Sequence, residues 1–280
     1  MLTRTVPQAS RRPRASAGCT PPCSRLLRPA LLALLGCACL AAQAPQERGP
    51  APEEARRIID HVDRILRGDS SRGSVEMLVV TPEWKRLTRM IIWSEGADKV
   101  LIRVGLPKKD EGTATLRAGG NIWNYLPKID RVIRVPTSMM MASWMGSHLT
   151  NDDLVKESRM IDDYDITIGF EGERAGAAVW EFVLTPKPAA PVVWGRVEMQ
   201  VRQADLMPTW ARYYDERGNL VRTMSYSEVR SFGSRRVPTV MTVRPEDKPD
   251  ERTTVRYRDL EFDVRLSPDF FSLRNLQVRR

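Results

Sequence analysis

Beyond residue 44 this sequence contains no cysteine. All four, Cys19, Cys23, Cys37 and Cys39, fall before that point, so the remainder has no disulfide and no thiolate ligand and must be held by packing. Histidine is nearly as scarce, with His61 and His148 the two in the chain, which argues against a zinc site of nitrogen and sulfur ligands. The phosphate-cradling P-loop, the dinucleotide G-x-G-x-x-G and the G-x-S-x-G nucleophile elbow are all missing. Ser147 beside His148 is a pairing in sequence, which does not assemble a triad in space. These absences point away from an enzyme, and neither a metal nor a cofactor is expected. No apolar run reaches the roughly 20 residues a membrane-spanning helix needs.

The excess of positive charge is also thinner than it looks. Net charge is +9, but the first 44 residues hold six arginines and no acid, so +3 remains for the rest. Nucleic acid is not an expected partner on that balance. The same 44 residues read as an export signal: an arginine-rich start, the apolar run Ala30 to Leu40, and an Ala42-Gln43-Ala44 cleavage box. Residues 1–44 are thus read as a signal peptide and 45–280 as one exported domain, expected as a periplasmic monomer. Pro45 disfavours cleavage at that box. Leu34-Leu35-Gly36-Cys37 offers the alternative of a lipobox, which would tether the protein to a membrane through Cys37.

What is present after the leader is one helix and many strands. Pro52 with Glu53 and Glu54 starts a helix; Ile58, Ile59, Val62, Ile65 and Leu66 recur at helical spacing, and Gly68 ends it. From Ser74 onward period-two alternation dominates, clearest in Arg196 to Arg202, where Val197, Met199 and Val201 share one face. Similar runs begin near Val75, Leu87, Lys99, Thr113, Asn121, Arg131, Tyr164, Ala178, Thr209, Leu220, Pro238 and Thr253. Turn signals such as Ala118-Gly119-Gly120-Asn121 separate them at hairpin distances, giving an antiparallel meander.

Pro136 to Val155 breaks the pattern. It gathers Met139, Met140, Met141, Trp144 and Met145 in a stretch too rich in Gly and Ser for an ordinary strand, and unbranched, polarizable methionine suits a surface that meets irregular apolar partners. The segment reads as a lid, or alternatively as a loop packed into the core. Thr150 and Asp153 form a near capping box for a short helix, and the acidic pairs Asp152-Asp153 and Asp162-Asp163 are read as helix-end residues rather than metal ligands. All seven tryptophans follow the leader. A mainly β, antiparallel sheet curved into a partial barrel needs something to fill its concave face, and Trp93, Trp123 and Trp180 are candidate walls of an apolar cavity beneath the lid.

The run from Met77 to Trp93, through Gly112-Thr113-Ala114-Thr115-Leu116, Asn121 to Pro136 and Ser143 to Val155, resembles the outer-membrane lipoprotein-sorting proteins, relatives of the periplasmic carrier LolA. That resemblance covers nearly all of the chain after the leader. It implies an unclosed half β-barrel whose hollow, covered by helices, carries lipoprotein acyl chains or other lipids toward the outer membrane. It also implies an inner-membrane transporter of the resistance-nodulation-division (RND) or ABC type as partner. A periplasmic sensor or scaffold of the same fold, recognising a protein partner, is the alternative. The leader reading yields a first prediction: intact-mass analysis is expected to find a chain beginning near Pro45 without acyl groups, and a diacylated or triacylated Cys37 would contradict it.

Overall fold

Thirteen strands join in one sheet, and each strand pair is antiparallel. The computed structural model describes residues 52–65, 68–155, 160–188, 190 and 192–278. The proposed leader, with its four cysteines and the Cys37 lipobox, lies outside those residues, as does Leu66. Each run of alternating residues seen in the sequence is a strand: β1 (Ser70–Val80), β2 (Lys85–Glu95), β3 (Lys99–Leu106), β4 (Ala114–Ala118), β5 (Asn121–Leu126), β6 (Arg131–Arg134), β7 (Tyr164–Arg174), β8 (Ala177–Pro186), β9 (Arg196–Arg202), β10 (Pro208–Tyr214), β11 (Leu220–Phe232), β12 (Arg235–Pro245) and β13 (Arg252–Phe262). Several extend past their apolar stretch, β1 by five residues at its start, because an antiparallel partner goes on supplying backbone hydrogen bonds where side chains turn polar.

The strand order explains the shape. From β1 the chain meanders outward through β2 to β6, and β6 is one edge of the sheet; it then crosses to the opposite edge, β7, and meanders back until β13 pairs with β1. The sheet is not closed, because β6 and β7 do not pair, and it forms an open half-barrel. The crossing from β6 to β7 carries the Met/Trp segment and two short helices, α2 (Asn151–Val155) and α3 (Met160–Asp163). Helix α1 (Pro52–Arg64) packs against α3 and β7 and buries Ala55, Ile58, Ile59 and Val62, the stripe its periodicity marks. His61, on the opposite side of the helix, is exposed. Among the described residues no helix is long and apolar enough to cross a membrane.

The two faces of the sheet bury different clusters. One face, under α1 and the crossing segment, gathers Val75, Met77, Met90, Ile102, Phe182, Leu184, Val197 and Met199 in the main core. On the other face Leu101, Leu116 and Tyr125 form a smaller cluster, covered by Leu276 of α4 (Leu273–Leu276) and by Phe270 and Phe271. Those two phenylalanines close a turn, with the Phe270 amide donating to the Ser267 carbonyl at 2.9 Å.

One backbone contact gives the fold a sharp test. A Cβ added to Gly195, which leads into β9, would lie 2.4 Å from the Asp215 carbonyl oxygen. Gly195→Ala therefore forces two backbones apart and is expected to cost about 1–3 kcal/mol. Urea unfolding should show a clear drop in midpoint, and an unchanged midpoint would contradict this packing.

Candidate functional site

Between the main-core face of the sheet and its cover lies a cavity of about 270 Å³. Val75 and Met77 of β1, Met90 and Ile92 of β2, and Val197 and Met199 of β9 form much of its floor. Val62 and Ile65 from α1 and the turn after it, with Trp144, Leu149 and Leu154 from the crossing segment, form its cover. Alternation supplies the floor, since every second residue of these strands points inward.

The crossing segment is tied down by polar contacts. It folds its own narrow hairpin, with Ser143 opposite Thr150 and the Trp144 amide donating to the Leu149 carbonyl at 2.7 Å. At its bend Met145 and Gly146 both take positive φ, +50° and +65°. The Arg86 guanidinium donates to the Met145 carbonyl, and a Cβ on Gly146 would stand 3.3 Å from the same guanidinium. Thr150 and Asp153 form the reciprocal cap their spacing suggests: the Thr150 amide donates to Asp153 Oδ2 at 2.7 Å, and the Asp153 amide donates to Thr150 Oγ1 at 3.1 Å.

Asp153 is also the partner of a buried arginine. Arg222 of β11, 4% exposed at its side chain, donates to both Asp153 oxygens at 2.6 and 2.5 Å. Its guanidinium lies 4.5 Å from the ring centres of both Trp194 and Tyr213. Burial pulls the guanidinium pKa down, but the hydrogen bonds and charge of Asp153 outweigh it and the net direction is up. His148 makes a second tie. Its amide donates to Thr253 Oγ1 at 2.9 Å, Nδ1 lies 2.8 Å from the same oxygen, and Nε2 lies 2.8 Å from Glu251 Oε2. A neutral ring with its proton on Nε2 satisfies all three contacts. The bond to His148 is the main reason the Glu251 carboxyl sits below the usual carboxylate range.

Of the eight candidate residues, Trp144 lines the cavity. It is 4% exposed, and its indole N–H donates to Thr115 Oγ1 at 3.3 Å, so this tryptophan is at once cover and core. Met145 packs on the same cluster. Met139 and Met141 are 50% and 48% exposed and face solvent, with Met140 half-buried beside them. Trp93 and Trp123 stand on the opposite face from the cavity, in the small cluster with Leu116 and Tyr125, and Trp93 meets Phe270 at 5.5 Å. The reason is alternation: Trp93 follows the cavity-facing Ile92, so its ring points the other way. Trp180 packs against the main core beyond the cavity wall, its indole donating to Glu171 Oε1 at 2.9 Å.

Sequence reasoning missed Arg222, Trp194 and the lining tyrosines Tyr164, Tyr213, Tyr226 and Tyr257. One signal was available, because Arg222, Met224 and Tyr226 alternate onto one face and a charge in such a row calls for a buried partner. Among the described residues no group of three or more His, Cys, Asp or Glu side chains is arranged to hold a metal.

A family profile described as "Uncharacterized protein" matches residues 96–278. The chain belongs to that family. No curated protein matches it. Among solved structures, a DUF1329 family protein from Desulfovibrio piger superposes with a TM-score of 0.73 at 24% identity, over 80% of this chain and 98% of that one. A domain named for outer membrane lipoprotein sorting, from Vibrio parahaemolyticus, gives 0.71 at 20% identity over 81% and 100%. A LolA superfamily protein from Nitrosomonas europaea gives 0.67 at 21% identity over 79% and 98%. At these identities the likeness shows a shared LolA-like fold.

The buried pair is directly testable. Removing one partner strands a buried charge at a typical cost of about 3–5 kcal/mol, whereas an apolar pair of similar volume is often neutral. Arg222→Met alone should therefore lower the unfolding midpoint strongly, and adding Asp153→Leu should recover most of the loss. Equal stability of Arg222→Met and the parent chain would contradict the assignment.

Proposed function

We propose that this chain is an exported, monomeric carrier that shelters an apolar chain, from a lipoprotein or a free lipid, in the cavity beneath the crossing segment. One observation carries the reading: an apolar cavity of about 270 Å³ sits where a half-barrel of this size would otherwise be solid core. Interiors pack without voids of that size unless something is meant to occupy them. An acyl chain leaving water gains about 0.8 kcal/mol per buried methylene, so affinity needs no elaborate contact. Val, Ile and Met walls accept a chain without dictating its shape. Transfer toward the outer membrane, and an inner-membrane partner of the RND or ABC type, rest on the LolA resemblance. The proposal assigns the chain no reaction.

A sensor or scaffold role draws support from one feature. Met139, Met141 and Ile133 are large apolar side chains left 46–50% exposed on or beside the crossing segment, where a protein partner would cover them.

Solvent extraction and mass spectrometry of the purified protein, with displacement of bound Nile red, separate the two. A carrier is expected to yield extractable lipid and to release Nile red when acylated compounds are added. Folded protein that holds no lipid and is displaced by none would contradict the proposal and leave partner recognition as the better account.

A further inference from the structure

We infer that the cavity recognises an acyl chain by its ester carbonyl, with the phenol hydroxyls of Tyr164, Tyr213 and Tyr226 as the hydrogen-bond donors. This rests on the carrier reading and deepens it, naming an acyl ester rather than a bare hydrocarbon as the guest.

The three tyrosines come from β7, β10 and β11, and all line the cavity. Tyr164 and Tyr213 are 4% and 8% exposed, yet neither hydroxyl has a hydrogen-bond partner among the described residues. The Tyr226 hydroxyl reaches only the Met224 sulfur at 3.9 Å, a weak acceptor. The Asp153 carboxylate, which also lines the cavity, does not serve them, because its oxygens accept from Arg222 and from the Thr150 amide. Buried hydroxyls in folded proteins nearly always find partners. Three on one cavity wall without a good one leave that role to the guest.

Protonation decides what the guest must offer. Burial pushes the Tyr213 phenol up to about 12, with Arg222 offsetting part of the rise, and burial likewise raises Tyr164 and Tyr226. Tyr213 adds to the rise at both, so the three hydroxyls lie within electrostatic reach of one another. All three keep their protons at neutral pH and stand as donors. An ester carbonyl answers them: its oxygen accepts through two lone pairs, it brings no charge into an apolar site, and it sits where an acyl chain joins its head. The chain then lies along the Val, Ile and Met walls while the carbonyl meets the phenols. A hydrocarbon of the same size would fill the walls and leave the donors unpaired, the costly arrangement for buried polar groups.

The test pairs infrared spectroscopy with Nile red displacement, using the full chain, methyl octanoate carrying carbon-13 at its carbonyl, and undecane, both delivered from cyclodextrin. The labelled carbonyl band of the bound ester should lie at lower wavenumber than in hydrocarbon solvent, the mark of an accepted hydrogen bond. The variant Tyr164→Phe/Tyr213→Phe/Tyr226→Phe keeps the rings and deletes the hydroxyls. It should return the band to its hydrocarbon position and weaken displacement by the ester about tenfold, with undecane unchanged. Its unfolding midpoint after lipid removal should match the parent's, since the hydroxyls hold no strong partner within the protein. An unshifted band in the parent, which needs no variant to fold, would overturn the ester inference and leave the carrier reading standing. So would a band that stays shifted in the variant, an equal loss of ester and undecane binding, or a large fall in the variant's midpoint. Failure of both compounds to displace Nile red from folded parent protein would overturn both readings.

Discussion

A sheet of thirteen strands that stops short of closing has an inner face it cannot cover with itself, and the rest of this molecule answers that constraint. Edge strands β6 and β7 lie at opposite ends of the strand order, so the chain must cross the mouth of the half-barrel to pass from one to the other. That crossing segment and α1 are the material at hand for a cover. Together they bury Trp144, Leu149, Ile58, Ile59 and Val62 against the sheet, yet they do not fill the space between its two halves. The cavity is thus a consequence of topology, with a short cover spanning a broad curved sheet.

A cover held by apolar contact alone would be free to slide, since such contact is non-directional. Directional ties fix it here. Arg222 grips Asp153 through two hydrogen bonds from the far half of the sheet, and Arg117 of β4 donates to the Leu154 carbonyl at 2.9 Å from the near half. His148 joins the segment to β13 through Thr253. Buried ionic contacts are poor sources of net stability, and position is their best-attested return. Asp153 serves twice, capping α2 and receiving Arg222, so the helix start and the anchor to the sheet cannot vary independently.

Much of the fold was legible from local pattern. Period-two alternation located the strands, a stripe at helical spacing located α1, and Thr150 with Asp153 announced their cap, because each signal lies within a few residues. The resemblance to LolA carried the half-barrel, which no local pattern could supply. The site was less legible. Trp93 and Ile92 could be seen to point opposite ways, but which of them faces the hollow depends on where α1 and the crossing segment settle. The pairing of Arg222 with Asp153 spans 69 residues of sequence and leaves no trace in spacing. The methionines divided for the same reason: Met145 lies at the bend that dips toward the core, whereas Met139 and Met141 precede it in an exposed turn.

The account stands or falls on the cavity being the place an apolar chain occupies. Crystals of the protein with a dodecanol brominated at its chain terminus would locate the bromine by anomalous scattering. The account places that peak inside the half-barrel, near Met77, Met90 and Trp144. A peak on the opposite face by Trp93 and Phe270, or over Met139 and Met141 with the cavity empty, would contradict it.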